Sequence, residues 1–137
     1  TPLYSSAASD VYKRQAEFFA FEPEQPARAF YRADELKEIG KGGISYRQVG
    51  DNLFGRSLQI LEECYQPGSD TGKVPLVHDG EEGGIVLSGR LEVTVDGERR
   101  ILGPGDAYYF ESRRPHRFRC VGPNPCRVVS ACTPPTF

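Results

Sequence analysis

His78-Asp79-Gly80-Glu81-Glu82-Gly83-Gly84-Ile85-Val86-Leu87-Ser88-Gly89 is the stretch on which the reading of this chain turns. A histidine and a glutamate four positions apart lead into a short β-prone run that a glycine closes. Side chains alternate along a strand, so His78, Gly80 and Glu82 are expected to share a face, with Gly80 leaving space between the other two. A second stretch, Gly103-Pro104-Gly105-Asp106-Ala107-Tyr108-Tyr109-Phe110 and then Pro115-His116, holds the other of the chain's 2 histidines. If the two stretches meet, two imidazoles and one carboxylate converge, a set that suits a divalent metal with open coordination positions.

Outward from these stretches the period is two. Residues 44–49, 57–65, 90–95, 98–102, 107–110, 116–121 and 127–132 read as strands, and glycine and proline cluster between them. Asp96-Gly97 is a two-residue hairpin signal, and Pro104-Gly105 suits the centre of a type II turn. Residues 32–39 have weak helical character with Asp34 as the expected N-cap; a single turn or a charged linker is the simpler expectation. With 15 glycines and 11 prolines, the chain favours many turns and short strands over long helices. The expected fold is an all-β, antiparallel sandwich or closed barrel.

A formal net charge of −2 gives no broad electrostatic reason to bind nucleic acid. No apolar run approaches a membrane span, and no export signal is visible, so the 4 cysteines are expected as reduced thiols and the protein as cytoplasmic. Residues 1–15 stand apart: Ser5-Ser6-Ala7-Ala8-Ser9-Asp10-Val11-Tyr12-Lys13-Arg14-Gln15 resembles a translated sequencing adapter. They are set aside from fold reasoning, and the natural start is expected to lie upstream. Residues 16–43 are expected as an arm or linker, with an apolar patch at Phe18, Phe19 and Phe21, and 44–137 as the folded domain.

On the strand 116–121, His116, Phe118 and Cys120 share one face, while Arg117 and Arg119 take the other. Burying arginine is costly, so His116 is expected to point inward. The expected ligand pocket is His78, Glu82, His116, Phe118 and Cys120, with His78, Glu82 and His116 as metal ligands for zinc, iron, manganese or nickel. The alternative is a metal-free pocket in which His78 and Glu82 hydrogen-bond each other. Tyr108 or Tyr109 is a candidate to add a phenol, Arg113-Arg114 a candidate for the mouth, and the cysteines are expected as small buried residues. No Ser/His/Asp or Cys/His nucleophile set is persuasive in the sequence.

The order and spacing of both stretches resemble the cupin family. Its first motif has a histidine pair, a glutamate and a closing glycine, matched here by His78, Glu82 and Gly89; its second is matched by Pro104-Gly105-Asp106 and His116. Leu76 stands where the first histidine of the pair belongs, and Cys120 where asparagine is frequent. The resemblance implies a double-stranded β-helix, or jelly roll. The finer pattern, including Tyr109-Phe110, Pro115-His116-Arg117-Phe118 and Thr133-Pro134-Pro135, resembles the C-terminal sensor domain of Xre-type bacterial regulators. That implies a small-molecule effector and DNA binding only through a missing N-terminal helix-turn-helix domain. An open jelly-roll edge and the apolar arm need cover, and a homodimer is expected to supply it. The rival is a stand-alone metal-dependent cupin oxygenase or isomerase.

Overall fold

Residues 28–136 are described by the computed structural model; residues 1–15 and the arm residues Phe18, Phe19 and Phe21 lie outside them. Two units separate between Phe30 and Tyr31, and the architecture below is that of the second, Tyr31–Phe137. Strands form wherever period-two sequence is bracketed by turn residues. In chain order they are β1 (Lys37–Glu38), β2 (Ile44–Gln48), β3 (Gln59–Tyr65), β4 (Glu81–Ser88), β5 (Arg90–Val95), β6 (Glu98–Leu102), β7 (Ala107–Glu111), β8 (His116–Val121) and β9 (Cys126–Thr133). They make two antiparallel sheets, ordered β1-β2-β3-β9-β4-β7 and β6-β5-β8, which is the expected all-β cupin-type jelly roll. Among the described residues no helix is long and apolar enough to cross a membrane.

The turn chemistry is as the sequence predicts. Asp96 (φ 52°) and Gly97 (φ 80°) both take the positive φ of a type I′ hairpin. Gly105 has φ 88°, and the Asp106 N–H donates to Gly103 O at 2.9 Å, closing the type II turn. The 32–39 segment differs from expectation. Only Ala33–Glu35 is helical, as a 3-10 turn, and Asp34 lies inside it while Arg32 occupies the cap. Part of the expected linker is therefore folded: Lys37 and Glu38 pair with Gln48 and Arg47. The Glu38 carboxylate accepts the N–H groups of Gly40 and Tyr46 at 2.8 and 2.9 Å. A two-residue strand is too short to show a period, so hydrogen bonding alone defines it.

Inward residues grade from apolar to polar along the strands. At one end Tyr65, Leu91, Cys120 and Cys126 pack with Val86 and Val128 in the core. At the other end the inward positions carry Gln59, Glu82, His116 and Cys132. Arg117 and Arg119 take the outer face of β8, as predicted.

Gly80 corrects one expectation. The segment before β4 is not extended: Gly80 has φ 94°, and a Cβ there would lie 1.6 Å from Thr133 O. Its role is a left-handed bend against the β9 backbone, not a space left between two same-face side chains. The Leu76 N–H donates to His116 O at 2.7 Å and the His116 N–H donates back at 3.0 Å. The chain thus follows the edge of β8 and then crosses at Gly80 into the large sheet, its carbonyl held by the Ser112 N–H at 2.8 Å. Gly80→Ala should cost at least about 2 kcal/mol, since backbone strain and overlap add. Gly97→Ala, with positive φ but open space around it, should cost only about 1 kcal/mol. Urea denaturation of the two variants measures the difference.

Candidate metal and ligand site

Three segments converge on the carboxylate of a fourth. The bend at Gly80 returns His78 to Glu82, so His78 Nε2 lies 2.9 Å from Glu82 Oε2. The Ser112 hydroxyl donates to the same oxygen at 2.7 Å. His116, at the start of β8, brings Nε2 to 3.2 Å. The two imidazole rings meet edge to face, 5.1 Å between centroids. His78, Glu82 and His116 are thus brought together as predicted, their ligand atoms all within 4.8 Å of one another.

His116 is fully buried and its proton is placed by chemistry. Nδ1 lies 2.7 Å from Arg114 O, and a carbonyl can only accept, so Nδ1 carries hydrogen. Nε2 sits within ion-pair distance of Glu82 but off the line of a hydrogen bond, and it has no hydrogen-bond partner. In the neutral ring that leaves a lone pair facing a carboxylate, a contact that a cation must relieve. A proton is one such cation. Burial alone would lower His116, but the Glu82 carboxylate and the Arg114 carbonyl outweigh it and hold the imidazole protonated to higher pH than usual. Glu82 responds in kind: burial raises it, yet the close approach of the His116 imidazole, the hydrogen bond from Ser112 and the charge of His116 and His78 bring it below the usual carboxyl range. A divalent metal is the other cation. An imidazole whose outer nitrogen is fixed by a backbone carbonyl, with its inner nitrogen orphaned, is the arrangement metal-ligating histidines adopt. The donor set therefore fits a metal, with Leu76 beside it contributing no ligand.

Phe118 lines the adjoining cavity, together with His78, Glu82, Tyr108, Tyr46 and Glu63. Its volume is about 50 Å3, room for a very few waters. Cys120 does not line it. It lies at the apolar end of the interior, with its thiol toward Asn124 O at 3.3 Å. Four residues along a strand carry it ~13 Å from His116; sharing a face does not mean sharing a pocket. The phenol is Tyr108, whereas Tyr109 is 73% exposed and its hydroxyl donates to Glu81. Arg113 and Arg114 are tied to Asp79 and Asp96 at the surface, at 2.7 and 2.6 Å.

Residues 61–132 match the family model described as the cupin domain. The chain belongs to the cupin family. It is 38% identical over 124 residues to the HTH-type transcriptional regulator PuuR of Escherichia coli, covering 89% of this chain and 66% of that one. The chain thus spans just under two thirds of that relative. It is also 40% identical over 77 residues to quercetin 2,3-dioxygenase of Bacillus subtilis, covering 53% of this chain and 23% of the enzyme. Among solved structures, the cupin domain of an XRE family transcriptional regulator from Enterobacter cloacae superposes with a TM-score of 0.60 at 23% identity, covering 69% of this chain and all (100%) of that one. That likeness concerns the fold.

One cupin pocket residue escaped the sequence reading. Glu63 is 6% exposed on the inner face of β3, where the Tyr65 hydroxyl donates to Oε1 at 3.0 Å and the Ser130 hydroxyl to Oε2 at 2.5 Å. The signal was parity: Glu63 falls in step with Leu61 and Tyr65, whereas Glu62 faces outward to Arg47 and Arg127. Burial pushes Glu63 up to about 7, against the lowering effect of its two hydroxyl donors. A carboxyl that binds its proton more tightly folded than unfolded contributes most stability below the ordinary carboxyl range. That contribution is lost as pH rises toward about 7. Wild type should therefore lose more stability between pH 5 and pH 8 than Glu63→Gln, by up to about 2–3 kcal/mol. Urea titrations of both proteins at the two pH values measure it; His116 and Glu82 are common to both and cancel in the difference.

Proposed function

We propose that this chain is the effector-sensing cupin domain of a transcriptional regulator, itself without catalysis, whose DNA-binding domain lies N-terminal to it. The observation that carries the reading is the identity to the HTH-type regulator, which runs across nearly the whole of this chain but leaves about a third of that relative unmatched. The chemistry of the chain supports a division of labour. Its net charge is −2, and the paired arginines of the loop before β8 are already neutralised by Asp79 and Asp96. Such a surface releases few counterions from DNA.

The sensing element is the polar end of the barrel, holding His78, Glu82 and His116 with Phe118, Tyr108 and Glu63 around them. A cavity of about 50 Å3 is too small for a metabolite, so an effector enters only as the walls move. The C-terminal tail is one such wall: Thr136 lines the cavity, and its N–H donates to Gln59 Oε1 at 3.1 Å. A ligand that binds the opened arrangement better than the closed one shifts the population between them and, in a homodimer, the spacing of two DNA-reading domains. A bound zinc, iron, manganese or nickel ion would supply a positive centre for an anionic or oxygen-bearing ligand. His78, Glu82 and His116 would hold it.

The second reading, a metal-dependent cupin enzyme, is favoured by the identity to quercetin 2,3-dioxygenase over 77 residues. DNA-binding titrations of this chain and of the full-length gene product, each with and without candidate metabolites, separate the two. We expect salt-sensitive, effector-dependent binding by the full-length protein only. Tight DNA binding by this chain alone, or a full-length gene without a helix-turn-helix coupled to metal-dependent turnover, would overturn the regulator reading.

The metal is tested at Leu76. Its backbone is hydrogen-bonded in register with His116, so residue 76 projects beside that imidazole. Leu76→His should raise zinc affinity about tenfold or more by supplying a further ligand. Calorimetric titration with zinc, with metal content measured after dialysis, reads the change.

A further inference from the structure

The histidine–glutamate cluster is one ligand short of a filled tetrahedral sphere. His78, Glu82 and His116 supply three donor atoms, and Leu76 supplies none. Both of the chain's 2 histidines are already used. Among the residues lining the cavity, Glu63 and Cys132 are the others whose side chains ordinarily ligate a divalent ion. Glu63 is engaged through both oxygens, by the Tyr65 and Ser130 hydroxyls at 3.0 and 2.5 Å. Cys132 is held more loosely. Its thiol donates to Gln59 Oε1 at 3.2 Å and lies 3.8 Å from both Pro134 O and Thr136 Oγ1. A thiol is a weak hydrogen-bond donor, so these contacts are readily exchanged.

Strand pairing places Cys132 between Gln59 and Glu82. Gln59 is directly opposite it in the β3–β9 register, and Glu82 is directly opposite it in the β4–β9 register. Cys132 also falls in step with the inward Cys126, Val128 and Ser130 of β9. The three residues therefore form one row on the inner face of the large sheet. Directly opposite residues keep their Cβ atoms about 4.5–5.5 Å apart. A cysteine has a single side-chain torsion with a few staggered positions. In the structure that torsion turns the sulfur toward Gln59. Rotation to another position turns it toward the Glu82 carboxylate, where His78 and His116 also converge.

A fourth donor of this kind also selects the metal. Two imidazoles and a carboxylate suit zinc, iron, manganese or nickel, whereas a thiolate favours zinc and disfavours manganese. The bonding step is a simple exchange of cations. The S–H bond breaks, the sulfur–metal bond forms, and the proton leaves to solvent. No electron is transferred.

We infer that Cys132 is a metal ligand, a thiolate from β9 that joins His78, Glu82 and His116 in the place Leu76 leaves. It rests on the metal reading given above and adds one residue to it. A sphere of four protein donors is the pattern of structural zinc, whereas catalytic zinc keeps a position open. That agrees with a sensor without catalysis. The consequence reaches the C-terminal tail. Gln59 Oε1 accepts from both the Cys132 thiol and the Thr136 N–H. A sulfur that turns to the metal gives up Gln59, Pro134 and Thr136 together. Metal loading thereby loosens the wall that an effector must displace.

The test is cobalt(II) titration of the full chain, residues 1–137, stripped of metal and kept reduced. Cobalt takes the place of zinc and reports its ligands by absorption. Stoichiometric cobalt should give a near-ultraviolet thiolate-to-cobalt charge-transfer band with the intense visible absorption of a four-coordinate ion, and zinc should bleach both. Cys132→Ser should abolish the charge-transfer band and weaken zinc binding at least about tenfold, with far-UV circular dichroism unchanged. Cys64→Ser, at an outward position of β3, should keep the band. Leu76→His added to Cys132→Ser should restore zinc affinity without the band, because an imidazole then replaces the sulfur. Cobalt bound without the band, or a band that survives Cys132→Ser, would overturn the inference; the first result leaves a metal on His78, Glu82 and His116. Failure to bind either ion would overturn the inference and the metal reading together. The DNA titrations are unaffected by any of these results, so the regulator reading is decided separately.

Discussion

One partly buried carboxylate oxygen organises the polar end of this barrel. Glu82 Oε2 faces His78, Ser112 and His116 at 2.9, 2.7 and 3.2 Å. Those residues come from the segment before β4, from the β7–β8 loop and from β8. A carboxylate held away from water is costly unless it is surrounded by donors and positive charge, so the three segments cannot drift apart independently. The Leu76–His116 backbone pair, the Gly80 bend and the Ser112 backbone contacts to His78 and Gly80 are the framework that brings the donors to it.

The same requirement governs the imidazole beside it. His116 is fixed through Nδ1 and left without a hydrogen bond at Nε2. A proton satisfies the position, and a divalent metal would satisfy it through the same nitrogen. Glu63 sits across the cavity as the opposite case. It is a carboxyl supported by neutral hydroxyls and no cation, and burial dominates it. Two acids in one small cavity are thus set to different protonation states by their partners, the way environments divide roles between like groups.

Strand β4 separates two environments. Its inward residues belong to the carboxylate cluster and the core, and its outward residues belong to an apolar face that the fold itself does not need. A sheet is one layer thick, so the two are separated by a single backbone.

Much of this was legible in the residues. Asp96-Gly97 and Pro104-Gly105 determined their turns because only particular residues accept those φ values. Period-two runs determined which side of each strand faces in, and with it the inward aim of Glu82, His116 and Phe118 and the outward aim of Arg117 and Arg119. The paired motifs determined the family and the meeting of His78 with His116. Tertiary structure alone decided the rest. Parity says which face a residue takes, not how far along the barrel it lies, so Cys120 fell outside the pocket and Glu63 inside it. A bend forced by another strand's backbone is invisible locally, so Gly80 was misread. The two-residue strand at Lys37 and Glu38 exists only through its partner's hydrogen bonds. Which sheet keeps an apolar outer face depends on neighbours that β3, β4, β7 and β9 acquire only when they are assembled side by side.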